Sequence, residues 1–150
     1  MPQSSPPVQP LTTFDELSYP PPAGYALKDD TTERIPSLIP GTEPAVERYR
    51  SYVGSAGHRL HLFSFRGLSS RDRGPMKAEE SWNLPVDGRE ARISRVSMFF
   101  GAAQNLLTAH FDGPSGAHYL VYTDQLDRAR FEAFLATLKF HRDILGGSQP

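Results

Sequence analysis

The chain contains no cysteine. That absence removes disulfides, thiolate metal sites, thiol nucleophiles and iron–sulfur clusters together. It has no excess of one charge either: 16 Lys and Arg stand against 17 Asp and Glu, a formal net charge of -1. No global basic field therefore exists to grip nucleic acid or an anionic membrane. No apolar run approaches the roughly 18–20 residues needed to span a bilayer. There is no internal repeat, no G-x-S-x-G elbow, no P-loop and no dinucleotide glycine fingerprint. What remains is 150 residues, 38% of them hydrophobic: about one domain's worth of chain, with enough apolar side chains for a core.

Proline is plentiful but badly distributed. Of 14 prolines, seven lie before residue 23: Pro2, Pro6, Pro7, Pro10 and the run Pro20, Pro21, Pro22. The opening MPQSSPPVQP cannot bury enough surface to offset its ordering entropy, so residues 1–13 read as a disordered Pro-rich lead. Local polyproline II there could dock on a partner's aromatic groove. Residues 14–145 read as a single α+β domain, and 146–150, with Gly146, Gly147 and Ser148, as a flexible tail. The lead lacks the apolar stretch of a secretory signal, which makes the cytoplasm the default location. A chain from which an export signal or lipid anchor had been removed would read the same, with a periplasmic or extracellular site as the alternative.

Along the chain, Phe14, Leu17, Tyr19, Tyr25 and Leu27 surround the proline triplet. They predict a short edge strand, a proline corner and a second short extended piece. Asp29 to Gly41 reads as a loop anchored by Ile35, Leu38 and Ile39. Residues 42–53 are ambiguous. Thr42, Glu43 and Pro44 could start a helix that Gly54 stops, yet Val46–Val53 and Arg59–Arg66 are equal apolar arms around GSAG, as in a hairpin. The balance tips to the hairpin. Met76–Trp82 reads as one helical turn.

Asp87-Gly88 is the strongest hairpin signature, because a type I′ turn needs positive φ at both central positions. It joins Trp82–Val86 to Arg89–Phe100, where the apolar phase shifts from Ala91 and Ile93 to Val96 and Met98. A bulge near Ser94–Arg95 would account for that shift. Gly101–Asn105 reads as a turn. Leu106–Phe111 and Ala117–Tyr122 then flank a turn-forming loop. If Phe111 pairs with Ala117, His110 lies opposite His118 and Thr108 opposite Leu120. Asp124 reads as a helix cap with Asp127 in the first turn. Phe131, Phe134, Leu135 and Leu138 form a buried stripe. The expected fold class is α+β: an antiparallel meander sheet with a C-terminal helix packed on one face.

The succession of phrases resembles a known family. Phe14 and Tyr19 precede a proline corner and Gly24-Tyr25, where the usual tryptophan is replaced. Val86-Asp87-Gly88 leads into Arg89-Glu90-Ala91-Arg92, and the chain closes with a meander and a helix carrying Phe131, Leu135, Leu138 and then Phe140. Over roughly residues 14 to 140 this resembles the PsbP-like superfamily, which includes bacterial DcrB-like proteins and lipoproteins and plant photosystem extrinsic subunits. The resemblance implies a sheet sandwiched by helices and a non-catalytic role in binding or chaperoning protein partners. The family has no shared catalytic constellation, so no active-site residue is carried over.

Three groups of residues could bear a function. His58 and His61 have metal-like spacing, but residues three apart on a strand point to opposite faces. His110 and His118, opposed with Cβ atoms roughly 5 Å apart, could share a metal or form a pH-sensitive contact. Zinc needs three or four ligands and no third is evident, so neither metal nor cofactor is expected. Arg66, Arg71 and Arg73 gather in one loop and could bind phosphate or a carboxylate-rich partner; Arg89, Arg92 and Arg95 crowd one strand and could equally discourage edge aggregation. Finally Leu106, Thr108, His110, His118, Leu120 and Tyr122 share a sheet face too apolar for open water and too polar for a standard core. Either the N-terminal segment or the 42–53 element covers it, or it is a partner groove. The scattered carboxylates select no acid–base pair. The expected function is therefore a non-enzymatic binding or chaperone-like protein that holds a protein or peptide on the sheet face or the Arg-rich loops. The alternative is a small-ligand or metal carrier, the soluble domain of an envelope lipoprotein, using His110 and His118.

Overall fold

The computed structural model describes residues 10–35, 41, 44–54, 57–67, 76–99, 102–124 and 127–141, with only the backbone at 35, 76–79, 97–99 and 102–105. Among them the chain forms β1 (Thr12–Phe14), β2 (Leu17–Tyr19), β3 (Tyr25–Ile35), β4 (Ala45–Gly54) and β5 (Arg59–Arg66). There follow β6 (Met76–Val86), β7 (Arg89–Phe99), β8 (Ala102–Asp112) and β9 (His118–Thr123), then α1 (Arg128–Ala136) and β10 (Lys139–Phe140). Strands 3 to 9 make one sheet in the order β3-β4-β5-β9-β8-β7-β6, and β1-β2-β10 a small second one. The large sheet is thus two meanders, β3-β4-β5 and β6-β7-β8-β9, sewn together by antiparallel pairing of β5 with β9. No helix among the described residues is long and apolar enough to cross a membrane.

The helix and the small sheet lie on one face of the large sheet. Phe14, Leu17 and Tyr19 together with Phe131, Leu135 and Leu138 pack on Leu60, Leu62, Ile93, Leu107, Phe111, Tyr119 and Val121. Phe131, Phe134 and Leu135 lie on α1 where their spacing puts them, with Phe134 only partly buried and its ring edge-on to Tyr19 at 5.5 Å. Leu138, though buried beside them, lies beyond the helix, which ends at Ala136. Each large side chain of this layer contributes on the order of 2 kcal/mol.

The antiparallel sheet, the terminal helix on one face and the 42–53 hairpin are as expected; Val46 pairs with Arg66 and Val53 with Arg59. At the Asp87-Gly88 turn φ is 48° and 84°. Several local expectations are overturned. The first strand is a hairpin, β1–β2, turning at Asp15-Glu16 with Asp15 at φ 55°. Asp29–Ile35 is not loop but the outer part of β3, whose side chains from Ala26 to Arg34 are all exposed. An edge strand wet on both sides has no apolar alternation to betray it, and its charges protect the edge. Leu38 and Ile39 lie outside the described residues, as do 1–9, 68–75 and 142–150.

Met76–Trp82 is strand, paired with β7 from Met76 opposite Phe99 onward; a long partner strand overrides the helix propensity of Met-Lys-Ala-Glu-Glu. Ala102–Asn105 is likewise the start of β8 rather than a turn. β7 stays in register with β8 from Arg92 to Val96, and the irregularities lie just beside the expected place: between Val96 and Met98, and on β6 between Ala78 and Glu80, opposite Val96 and Arg95. The phase shift has another cause: Ala91 and Ile93 enter the core under the helix, while Val96 joins a second apolar cluster on the opposite face. The helix cap is Asp127, whose Oδ1 accepts from the Arg130 N–H at 3.1 Å, whereas Asp124 accepts from the Arg59 N–H at 3.0 Å.

Candidate binding face

A strand shows alternate side chains to opposite faces. With Leu107, Ala109 and Phe111 of β8 in the core, Leu106, Thr108 and His110 must face the other way. By the same alternation β9 presents His118, Leu120 and Tyr122 there, and β5 presents His61, Phe63 and Phe65. The six predicted sheet-face residues are thus brought together. Phe65, Val96, Leu106 and Leu120 form a second buried cluster, with Phe63 and Tyr122 packed against it. Every member of it belongs to the sheet. Among the described residues neither β1–β2 nor β4 covers it, because β1 and β2 pack on the helix face and 45–54 is itself a strand of the sheet. Phe65, Val96, Leu106 and Leu120 are buried, and the half-buried rings are Tyr49, His61, Phe63 and Tyr122.

The rings of this face run across four adjacent strands. Tyr49 stacks on His61 (5.9 Å between ring centres) and lies 4.7 Å from Phe63. His61 stacks on Tyr122 at 4.4 Å, Phe63 on Phe65 at 5.5 Å, Phe65 on His118 at 6.4 Å and His118 on His110 at 5.4 Å. With strands about 4.8 Å apart, the run from β4 to β8 is about 14 Å wide. Tyr49, His61, Phe63, Phe65 and Val96 escape a search confined to the last hairpin. The signal for β5 is nonetheless present: Leu60-His61-Leu62-Phe63-Ser64-Phe65 has no polar phase, as a strand buried on both sides must.

At one end of the run the histidines form a chain with a carboxylate. The β8–β9 register is two residues away from the expected one: Phe111 pairs with Tyr119, and His110 with Leu120. The loop closes through the Gly113 N–H to the Ala117 carbonyl at 2.8 Å, so pairing stops at Asp112–His118. A shift of two preserves faces, and His110 meets His118 diagonally, Nδ1 to Nε2 at 3.3 Å. His118 Nδ1 lies 2.8 Å from Asp112 Oδ1. An ionised carboxylate only accepts, so His118 donates from Nδ1. With both rings neutral, its Nε2 then accepts from His110 Nδ1–H, and His110 Nε2 carries a bare lone pair.

That nitrogen is buried without a partner, as is Thr108 Oγ1 two residues away on the same face. Burial, then the neighbouring His118 and the Arg92 charge, push the His110 pKa down to about 4, which holds the ring neutral near pH 7. Burial also lowers His61. His110 and His118 line a cleft of about 350 Å³ with Asn83 and Arg92 at its rim. Both nitrogens of His118 are engaged, and among the described residues no group of three or more His, Cys, Asp or Glu could hold a metal ion. His58, by contrast, lines a cleft beside α1, on the other side of the sheet from His61.

Of the three loop arginines only Arg66 is among the described residues; Arg71 and Arg73 lie outside them. Arg66 turns to the helix face, where Nη2 reaches Asp15 Oδ1 at 2.6 Å, Nε reaches Oδ2 at 3.1 Å and Nη2 also donates to Ser115 Oγ at 2.8 Å. Ser64 Oγ donates to the same carboxylate. Burial alone would raise the Asp15 pKa, but the Arg66 and Ser64 hydrogen bonds and the Arg66 and Arg48 charges outweigh it and hold the carboxyl below its usual range. Beside it the Tyr119 hydroxyl donates to Glu16 Oε2 at 3.0 Å and accepts from the Glu16 N–H at 3.2 Å. This clasp fastens the β1–β2 turn to the large sheet, so Arg66 has a structural task. The chain matches no known family model, no curated protein and no solved structure.

Proposed function

We propose that the protein is a non-enzymatic binding module, and that the ring-lined second face of its large sheet holds an extended apolar segment of a protein partner. One observation carries the reading: a single sheet has two apolar faces, and among the described residues the helix and small sheet occupy one of them. The other offers a run of stacked rings about 14 Å wide, with a neutral imidazole nitrogen at its end that lacks a hydrogen-bond partner. Aromatic-rich patches of this kind supply the anchors of protein interfaces. A peptide suits it better than a bare hydrocarbon, because its backbone N–H satisfies His110 Nε2 while alternate side chains lie on the rings. An unpaired buried polar atom costs about 1–3 kcal/mol, which a peptide N–H would return. The PsbP-like resemblance implies a protein-binding role, which agrees with this reading, but it also implies helices on both faces of the sheet, and among the described residues the one helix lies on a single face. The loss of Arg66 to Asp15 argues against the arginine loop as the binding surface, and the engaged nitrogens of His118 argue against the metal carrier.

The test uses a fluorescein-labelled 12-residue peptide that alternates Phe or Leu with Ser, titrated by anisotropy against wild type, Tyr49→Ser and Phe63→Ser. Both positions are half-buried, and circular dichroism checks that each variant is folded before it is titrated. Saturable binding that each substitution weakens about tenfold supports the proposal, since an aromatic anchor contributes about 1–2 kcal/mol. Equal affinity in all three folded proteins, or no binding, refutes it.

A further inference from the structure

On the opposite side of the sheet a cleft of about 640 Å³ opens between the proline corner and α1. Its walls are Pro20, Pro22, Tyr25, Leu60, Phe131 and Phe134, with Ala133 at the helix side. Thr123, Asp127, Arg130 and Thr137 also border it. The volume lies within the range of small-molecule sites, and a predominantly apolar lining with some polar groups is the usual composition of one. The walls are also rigid. Proline fixes φ along the corner, and the Tyr25 ring lies so close to Gly54 that a Cβ there would meet it at 3.1 Å. Leu60 and Phe131 belong to the core and are 5% and 3% exposed.

One polar atom in this wall is unexplained. His58 Nδ1 is buried and has no hydrogen-bond partner. The other polar groups around the cleft are engaged: Arg130 Nε lies 3.3 Å from Asp127 Oδ2, and Thr137 Oγ1 donates to the Phe134 carbonyl at 2.6 Å. Among the described residues a group that enters the cleft therefore finds a largely apolar slot, one buried imidazole nitrogen without a partner, and the exposed Arg130–Asp127 pair in the lining. That nitrogen is an acceptor in one neutral tautomer and a donor in the other. A hydroxyl serves either, because it both donates and accepts.

We propose that this cleft binds a small amphipathic alcohol or phenol, its ring or hydrocarbon body between the proline corner and α1 and its hydroxyl on His58 Nδ1. The site is independent of the second sheet face. The test titrates 2-naphthol and 2-methylnaphthalene, followed by their own fluorescence, against wild type, His58→Phe, Ala133→Trp and Phe63→Ser. Ala133 is exposed on the helix, so a tryptophan there fills the cleft without entering the core. Saturable binding of both probes, lost in Ala133→Trp and retained in Phe63→Ser, places them in the cleft. The hydroxyl contact is read from the ratio of the two affinities, which shifts about threefold to tenfold against 2-naphthol in His58→Phe. Absence of saturable binding, binding indifferent to Ala133→Trp, or an unchanged ratio in His58→Phe overturns the proposal. Loss in Phe63→Ser alone would move the site to the sheet and overturn it as well.

Discussion

His110 provides the sharpest test of the second face, because its burial beside His118 and Arg92 has a thermodynamic consequence. Its pKa in the folded protein is about 4 against a reference of 6.5. The folded state therefore resists protonation that the unfolded chain accepts, and the resulting stability is present above pH 6.5 and lost as pH falls from there through 4. Linkage from these two values gives a loss of about 1.4 kcal/mol by pH 5.5 and about 3 kcal/mol by pH 4. The perturbation is His110→Phe, which keeps a ring on the face and removes the titrating group. The assay is urea unfolding at pH 7, 5.5 and 4, read by the fluorescence of Trp82, the one tryptophan. Trp82 donates to Glu132 Oε2 at 2.8 Å under the Arg128 guanidinium, contacts that unfolding breaks. His61, which burial also lowers, contributes a fall of the same sign in both proteins, so the difference between them isolates His110. The variant should lose about 3 kcal/mol less than wild type between pH 7 and pH 4. Parallel curves for the two proteins would refute the reasoning, as would an NMR titration of His110 near 6.5.

Three further outcomes follow from the clasp and the core. Gly113→Ala places a Cβ on Glu16 Oε2 and 2.8 Å from Tyr119 Cε2, and should cost about 2–3 kcal/mol in urea unfolding. Asp15→Asn leaves the half-buried Arg66 without its charge partner and should cost about 1–2 kcal/mol at pH 7. The contribution of Asp15 is present above 3.8 and disappears as pH falls through its lower folded value, so the gap between wild type and variant should close in acid. Phe131→Ala, at a position 3% exposed under the sheet, should cost about 3–4 kcal/mol, measurable as a lowered denaturant midpoint.

The elements that could be read from the sequence are those with a signature of their own. The apolar spacing of Phe131, Phe134 and Leu135 on the helix, the Asp87-Gly88 turn and the equal arms around GSAG each have one, and each is present. What the sequence hides is a strand whose extended form depends on its partner. β3 is exposed from Ala26 to Arg34 and its outer part reads as loop; the Met76 end of β6 reads as helix because its partner strand, not its own residues, makes it extended. The second face was legible in part. Leu106, Thr108, His110, His118, Leu120 and Tyr122 do share it, since parity survives a two-residue register shift. Their neighbours on β5 and β4 could not be found from one hairpin, because the β5–β9 pairing joins residues nearly sixty positions apart. Arg66 misled because it is not part of the loop but ends β5, on the strand parity that faces Asp15.

The most direct measurement of the central claim is a two-dimensional NMR titration of the alternating Phe/Leu–Ser peptide into labelled protein, with the imidazole and backbone signals assigned. Binding on the second face predicts shifts concentrated at His61, Phe63, His110, His118 and Tyr122, with Phe131 and Leu135 unmoved. Shifts confined to the helix side, or no change up to millimolar peptide, would contradict it.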